Sequence, residues 1–213
     1  MMPKMPSSGI ISSTPCFPPM KTTKLLAVIS SFSAVAFLAI AADAPAPAPA
    51  TVSVTLSDVH LCCNNCVTGV NTALKPLAGV TAVSDQAKKT VAISAPDKAT
   101  AQKAVDALLA AGYFGASSDT GIKVNADTGA KSEKVGSLEV TNVHLCCAKC
   151  VTGVKDALKN LPGYADSNPA PKGTTFTITG AFNAKDAMTA LQKAGFDGKA
   201  GKTTPVAPAP KAA

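Results

Sequence analysis

The chain contains no arginine and no tryptophan, and only 4% of its 213 residues are aromatic. Its twenty basic residues are all lysine. Recognition of DNA or RNA leans on the guanidinium fork for bidentate and stacking contacts, so a formal net charge of +7 carried by lysine alone is poor support for a nucleic-acid partner. With so few aromatics, the interior must be built from Val, Ile, Leu and Ala, which favours small folding units over one large domain. Histidine is nearly absent too, at two residues. No nucleophile–base set, paired carboxylates or phosphate loop is legible, so the chain does not read as an enzyme.

What is present is concentrated. Seven cysteines occur, and six of them, with both histidines, fall in two short runs: VHLCCNNCVTGV from Val59 and VHLCCAKCVTGV from Val143. Aligning His60 with His144 gives a period of 84 residues, and residues 60–77 and 144–161 agree at 13 of 18 positions. Agreement at that level marks a duplicated unit, and the duplication governs every finer reading.

The flanks are of a different kind. From Met20 a short lysine-bearing head (Lys21, Lys24) leads into an apolar run, Leu25–Ile40, and an A-x-A pattern ending at Ala41. This is the pattern of a secretory signal peptide, cleaved after Ala41, so residues 1–41 are expected to be a signal peptide with an N-terminal extension, and the protein periplasmic or secreted. An uncleaved membrane anchor is the alternative, the apolar run being close to spanning length. Removing residues 1–41 takes away three lysines, the seventh cysteine (Cys16) and no acidic residue, so the net charge falls from +7 to +4. Residues 42–50 and the tail 201–213 are Ala-Pro tracts that cannot build a core and are expected to be extended spacers.

Each copy shows the same order of elements. Thr51–Ser57 and Ser137–Asn142 alternate apolar and polar residues as half-buried strands do. After the cysteines, Val67, Val70, Ala73, Leu74 and Leu77, and their counterparts Val151, Val154, Ala157, Leu158 and Leu161, fall at helical spacing. Gly79 and Pro162-Gly163 terminate these helices. Strands are predicted near Val80–Ser84, Thr90–Ser94, Tyr164–Ser167 and Thr174–Thr179. Amphipathic helices follow, through Leu108 and Leu191, and a last edge strand is expected from Ala111-Gly112-Tyr113 and Ala194-Gly195-Phe196. The prediction is α+β: two ferredoxin-like βαββαβ domains in tandem, at 51–116 and 137–200, each a four-stranded antiparallel sheet with two helices on one face. Residues 117–136 read as a polar linker, with a weak strand signal at Ile122–Asn125.

The cysteine runs sit where the first strand of each unit hands over to the first helix. His60, Leu61, Cys62 and Cys63 fall on the loop and Cys66 in the first turn. A Cys-x-x-Cys pair in this place can turn both sulfurs to one point, and the unpaired N–H groups of a helix start favour thiolate over thiol. Two convergent thiolates suit a soft, low-coordinate ion: Cu(I) best, Hg(II) or Cd(II) also, Zn(II) with additional ligands.

With those residues in place, each copy resembles a heavy-metal-associated domain. That family includes small copper chaperones, the N-terminal domains of copper-pumping ATPases and the periplasmic mercury-binding protein. It carries Gly-Met-x-Cys-x-x-Cys at this junction, and the similarity covers about 65 residues per copy. The resemblance puts Cys63 and Cys66, and Cys147 and Cys150, at the metal-ligand positions. His60 and His144 stand where Gly is usual, and Leu61 and Leu145 where a buried Met is usual. Cys62 and Cys146 take the variable position, as third thiolates or as bystanders. The histidines are loop hydrogen-bonders or ligands, and Tyr113 and Phe196 core or rim residues.

The expected function is an exported, non-enzymatic metal carrier or scavenger with one site per repeat, whose partners are the ion and a metal-donor or metal-acceptor protein. Two other readings stay open: a thiol–disulfide redox protein, which lacks a thioredoxin-like βαβ context, and a structural module whose cysteines form disulfides. Cys66 and Cys147 lie too far apart for zinc-ribbon spacing, which argues against a ribbon combining both copies.

Overall fold

Val54, Leu56, Val91 and Ile93 carry the side chains that bury one face of the first sheet. They are paired across it, Val54 with Ile93 and Leu56 with Val91, because opposite residues of an antiparallel pair share a face. The computed structural model describes residues 51–125 and 127–206. The predicted signal peptide, Cys16, the first Ala-Pro spacer and the end of the tail lie outside the described residues. Among those described, no helix is long and apolar enough to cross a membrane.

The first copy comprises β1 (Val52–Ser57), α1 (Asn64–Leu74), β2 (Thr81–Asp85), β3 (Thr90–Ala95), α2 (Lys98–Ala110) and β4 (Ala116–Ser117). The second comprises β5 (Lys134–Thr141), α3 (Ala148–Leu158), β6 (Tyr164–Ser167), β7 (Phe176–Asn183), α4 (Ala184–Lys193) and β8 (Lys199–Thr204). The strands form two four-stranded antiparallel sheets, ordered β2-β3-β1-β4 and β6-β7-β5-β8. This α+β architecture, two such sheets with four helices, is consistent with a ferredoxin-like fold.

The helices bury the stripes their periodicity foretells: Cys66, Val70 and Leu74 from α1, Ala104, Val105 and Leu108 from α2, with Val154, Leu158, Met188 and Leu191 in the second copy. Many inward positions are Ala and Val, as the shortage of aromatics requires.

Three boundaries differ from the sequence prediction. Residues 117–136 do not behave as a free linker: Ile122 is buried, Gln102 hydrogen-bonds the Lys123 backbone in both directions, and β5 already begins at Lys134. The Ile122–Asn125 stretch forms no strand. β8 runs to Thr204, into the predicted tail, because β5 offers it a partner edge along its length. Nor do the Ala-Gly-aromatic segments open the last strands. Tyr113 and Phe196 instead pair with each other, in an isolated antiparallel bridge between the two copies.

That bridge belongs to a larger junction. The Phe114 N–H donates to the Gly195 carbonyl (3.1 Å), and the Asp197 N–H donates to the Gly112 carbonyl (3.0 Å), the same contact with the copies exchanged. Both copies accordingly fall within one compact unit.

A six-thiol site at the junction of the repeats

At Asp58 and Asn142, equivalent residues just past β1 and β5, the chain adopts left-handed backbone (φ 60° and 58°). Asp and Asn tolerate that region better than most residues. The turn frees the chain from the sheet, and Val59 and Val143 pin it again by burying their side chains and donating N–H bonds to Lys89 and Thr174 carbonyls. Leu61 and Leu145 are buried next, as packing residues. This leaves the cysteines at the loop tip, on the mouths of α1 and α3.

Cys63 and Cys147 are the N-cap residues of those helices, and neither makes a side-chain capping bond. The contrast with the other two helices is instructive. Asp97 caps α2 by accepting from the Thr100 N–H (2.8 Å), and Asn183 caps α4 by accepting from Lys185 (3.0 Å) and Asp186 (3.3 Å). Helix starts that lack an oxygen cap and any acidic residue in the first turn keep their N–H groups and positive dipole end for the sulfurs.

The sequence predicts two separate loops, one per copy. In the structure the loops face each other and the six sulfurs form one group. Cys62 Sγ lies 3.5 Å from Cys147 Sγ and 3.5 Å from Cys150 Sγ. In the exchanged sense, Cys146 Sγ lies 3.5 Å from Cys63 Sγ and 3.4 Å from Cys66 Sγ. Within copies, Cys62 is 3.7 Å from Cys66, Cys146 is 3.6 Å from Cys150, and Cys63 is 3.9 Å from Cys66. All six are free thiols, Cys66 and Cys150 buried and the rest half-buried.

Ribbon spacing therefore does not register this meeting of thiols from both copies. The packing of a duplicated unit against its twin cancels the separation of Cys66 from Cys147, and no local spacing rule registers this.

The histidines hold the junction together. Each ring stacks on the aromatic residue of the other copy, His60 on Phe196 (centroids 4.1 Å apart) and His144 on Tyr113 (4.5 Å). The Tyr113 hydroxyl donates to the Cys66 carbonyl (2.9 Å) and lies 3.0 Å from His144 Nε2. Burial raises the Tyr113 pKa, so the hydroxyl stays a donor. The Phe196 side has no hydroxyl, and His60 Nε2 is left buried without a hydrogen-bond partner. Burial lowers the His60 pKa to about 4, keeping the ring neutral. Neither histidine belongs to the two groups of converging ligand atoms found among the described residues.

This asymmetry yields a stability prediction. Phe196→Tyr is expected to supply the missing hydroxyl to His60 Nε2. Gly153, the counterpart of Gly69, leaves open the space that Gly69 gives to the Tyr113 hydroxyl. The gain is about 1 kcal/mol, roughly 2–4 °C in Tm for a chain of this size. An unchanged or lower Tm in thermal denaturation of the apo protein contradicts it.

The thiols differ in acidity. Burial pushes Cys62 up to about 12, and burial likewise raises Cys146. A hydrogen bond to Cys150 raises Cys66, with burial adding to it. Cys147 goes the other way, to about 7, chiefly because the Cys150 backbone N–H stabilises its thiolate. Cys147 is thus expected to be the first apo cysteine alkylated by iodoacetamide, its rate rising through pH 7 as the thiolate forms. Peptide mapping after a short pulse checks this, and first modification at Cys62 or Cys146 contradicts it.

A cleft of about 730 Å³, lined in part by Thr68, Gly69, Ala111, His144 and Cys146, opens beside Cys146.

No family model matches this chain, and no curated protein matches it. Among solved structures it is similar to the apo form of the HMA domain of the copper chaperone for superoxide dismutase. Identity there is 17% and the TM-score 0.30, over 46% of this chain and 97% of that one. It is similar to the N-terminal soluble domains of Bacillus subtilis CopA, at 18% identity and TM-score 0.28, over 72% of this chain and 96% of that one. It is also similar to the first two RRM domains of the yeast poly(U) binding protein Pub1, at 12% identity and TM-score 0.23, over 70% and 98%. Likenesses this distant do not discriminate between functions.

Proposed function

We propose that the chain is an exported, non-enzymatic metal-binding protein, a scavenger or carrier, in which two ferredoxin-like domains of the heavy-metal-associated type bind a soft ion through cysteine thiolates. One observation carries this reading: six free thiols from two distant segments gather with neighbouring sulfurs 3.4–3.9 Å apart at two uncapped helix starts. A structural role alone gives no reason to expose so many unpaired thiols to one another.

The donor set fits the chemistry. Sulfur-only sites select thiophilic ions over hard ones, which favours Cu(I), with Hg(II), Cd(II) and Zn(II) also accommodated. Four sulfurs around an ion at about 2.3 Å lie about 3.8 Å from one another, so the observed spacing needs little rearrangement. Binding requires deprotonation, so affinity falls as pH falls.

The test is an anaerobic Cu(I) titration of the reduced protein against a chromophoric chelator. Tight competition is expected, and its loss when Cys63, Cys66, Cys147 and Cys150 are all changed to serine. Failure of six reduced thiols to compete, or binding that survives the fourfold change, overturns the proposal.

A further inference from the structure

The six sulfurs are not equivalent. Two four-thiol groups have all their ligand atoms within 4.8 Å of one another: Cys62, Cys63, Cys146 and Cys147, and Cys62, Cys66, Cys146 and Cys150. Cys62 and Cys146 belong to both. They lie centrally, each reaching sulfurs of the opposite copy at 3.4–3.5 Å and its own helix cysteine at 3.6–3.7 Å. The other four sulfurs divide into an outer pair, Cys63 with Cys147, and an inner buried pair, Cys66 with Cys150.

We propose that this is a dinuclear site: two four-coordinate thiophilic ions share Cys62 and Cys146 as bridging thiolates. Cys63 and Cys147 complete one ion, Cys66 and Cys150 the other. The inference rests on the soft-metal reading above and adds the number of ions and the role of each cysteine. Two tetrahedral ions need eight sulfur bonds, and four terminal plus two bridging thiolates supply that number from six residues. Among the thiophilic ions the thiols accommodate, this two-ion arrangement is for a divalent one content with four sulfurs, Zn(II) or Cd(II), whereas Cu(I), satisfied by fewer sulfurs, does not require it.

The charge supports the same count. Six thiolates carry six negative charges, and two divalent ions cancel four of them. The dipoles of α1 and α3, whose starts face the cluster, offset the remainder. Loading releases the thiol protons to solvent, and no oxidation or reduction is involved. The arrangement also accounts for the doubled cysteine in each run. A single Cys-x-x-Cys needs no third thiol, but a shared pair of ions needs a bridge from each copy.

The experiment uses the full chain, reduced, with Cd(II) for counting and Co(II) as a magnetic reporter. Native mass spectrometry is expected to give two Cd(II) per chain. Co(II) loaded to two equivalents is expected to lose EPR intensity per ion relative to sub-stoichiometric loading, because shared thiolates couple the two spins antiferromagnetically. Cys62→Ala with Cys146→Ala is expected to abolish two-ion loading and weaken the remaining binding by about 100-fold or more. Far-UV circular dichroism of the apo variant guards against misfolding.

One Cd(II) per chain, or two Co(II) ions without coupling, overturns the dinuclear arrangement while leaving soft-metal binding intact. Absence of binding by Cd(II), Co(II) and Cu(I) alike overturns both.

Discussion

Changing Cys147 and Cys150 together to serine is expected to remove tight metal binding from the whole chain, not from half of it. Were each copy to hold its own ion, the untouched first copy would bind with full affinity at half the stoichiometry. With the sulfurs gathered at one junction, each four-thiol group loses a member, Cys147 from one and Cys150 from the other. Binding free energies of about 10–16 kcal/mol for four-ligand sites put a single thiolate at about 3 kcal/mol, roughly a hundredfold in Kd. Both groups lose that much, so a chelator that the parent outcompetes should strip the variant completely. Competition titration decides it, and an undiminished half-stoichiometric site is the contrary result.

The second large effect lies outside the cysteines. Gly195→Ala is expected to destabilise the apo protein by about 3 kcal/mol and weaken metal binding with it. Gly195 has φ +85°, and a Cβ there would stand 2.4 Å from both the Asp58 carbonyl oxygen and the His60 backbone nitrogen. The left-handed backbone alone costs a residue with a Cβ about 1 kcal/mol, and the clash with backbone on the opposite copy adds the rest. Relief requires the copies to move apart at the point where Phe114 donates to the Gly195 carbonyl, which also draws the two cysteine loops apart.

Gly129→Ala is the control. Its φ is +73° and its Cβ meets nothing within 4 Å, so it should show only the backbone cost. In Tm the two should differ by roughly 4–8 °C. Equal shifts for the two variants, or a Gly195 variant that binds metal like the parent, would show that the junction does not hold the cluster together.

Much of this protein is legible one residue at a time. Alternation at Val52–Ser57 and the helical stripe Val70–Leu74 mark elements because their periods report directly on which side chains face a core. The duplication announces itself through near-identity around His60 and His144. The clustering of the thiols is legible too, since six of seven cysteines fall in two runs. Leu61 and Leu145 are readable as packing residues, and they are buried.

What the sequence could not reveal concerns how one copy meets the other. The 118–133 stretch looks polar and loose, yet buried Ile122 and Thr128, Gln102 bonded to its backbone, and the Ala184 and Ala200 N–H groups donating to its Glu133 and Thr128 carbonyls tie it to the rest of the protein. The last edge strands begin later than their sequence predicts because Ala-Gly-aromatic supplies the other copy with a glycine to approach and a ring to stack on, a use invisible in either copy alone.

The same reason governs the site. Which residues are thiols, and that each set stands at a helix start, follows from residue order, because strand, loop and helix are local. That six thiols gather in one group follows from tertiary packing: the distance from Cys62 to Cys147 depends on how two folded surfaces fit, and nothing in the intervening chain encodes it.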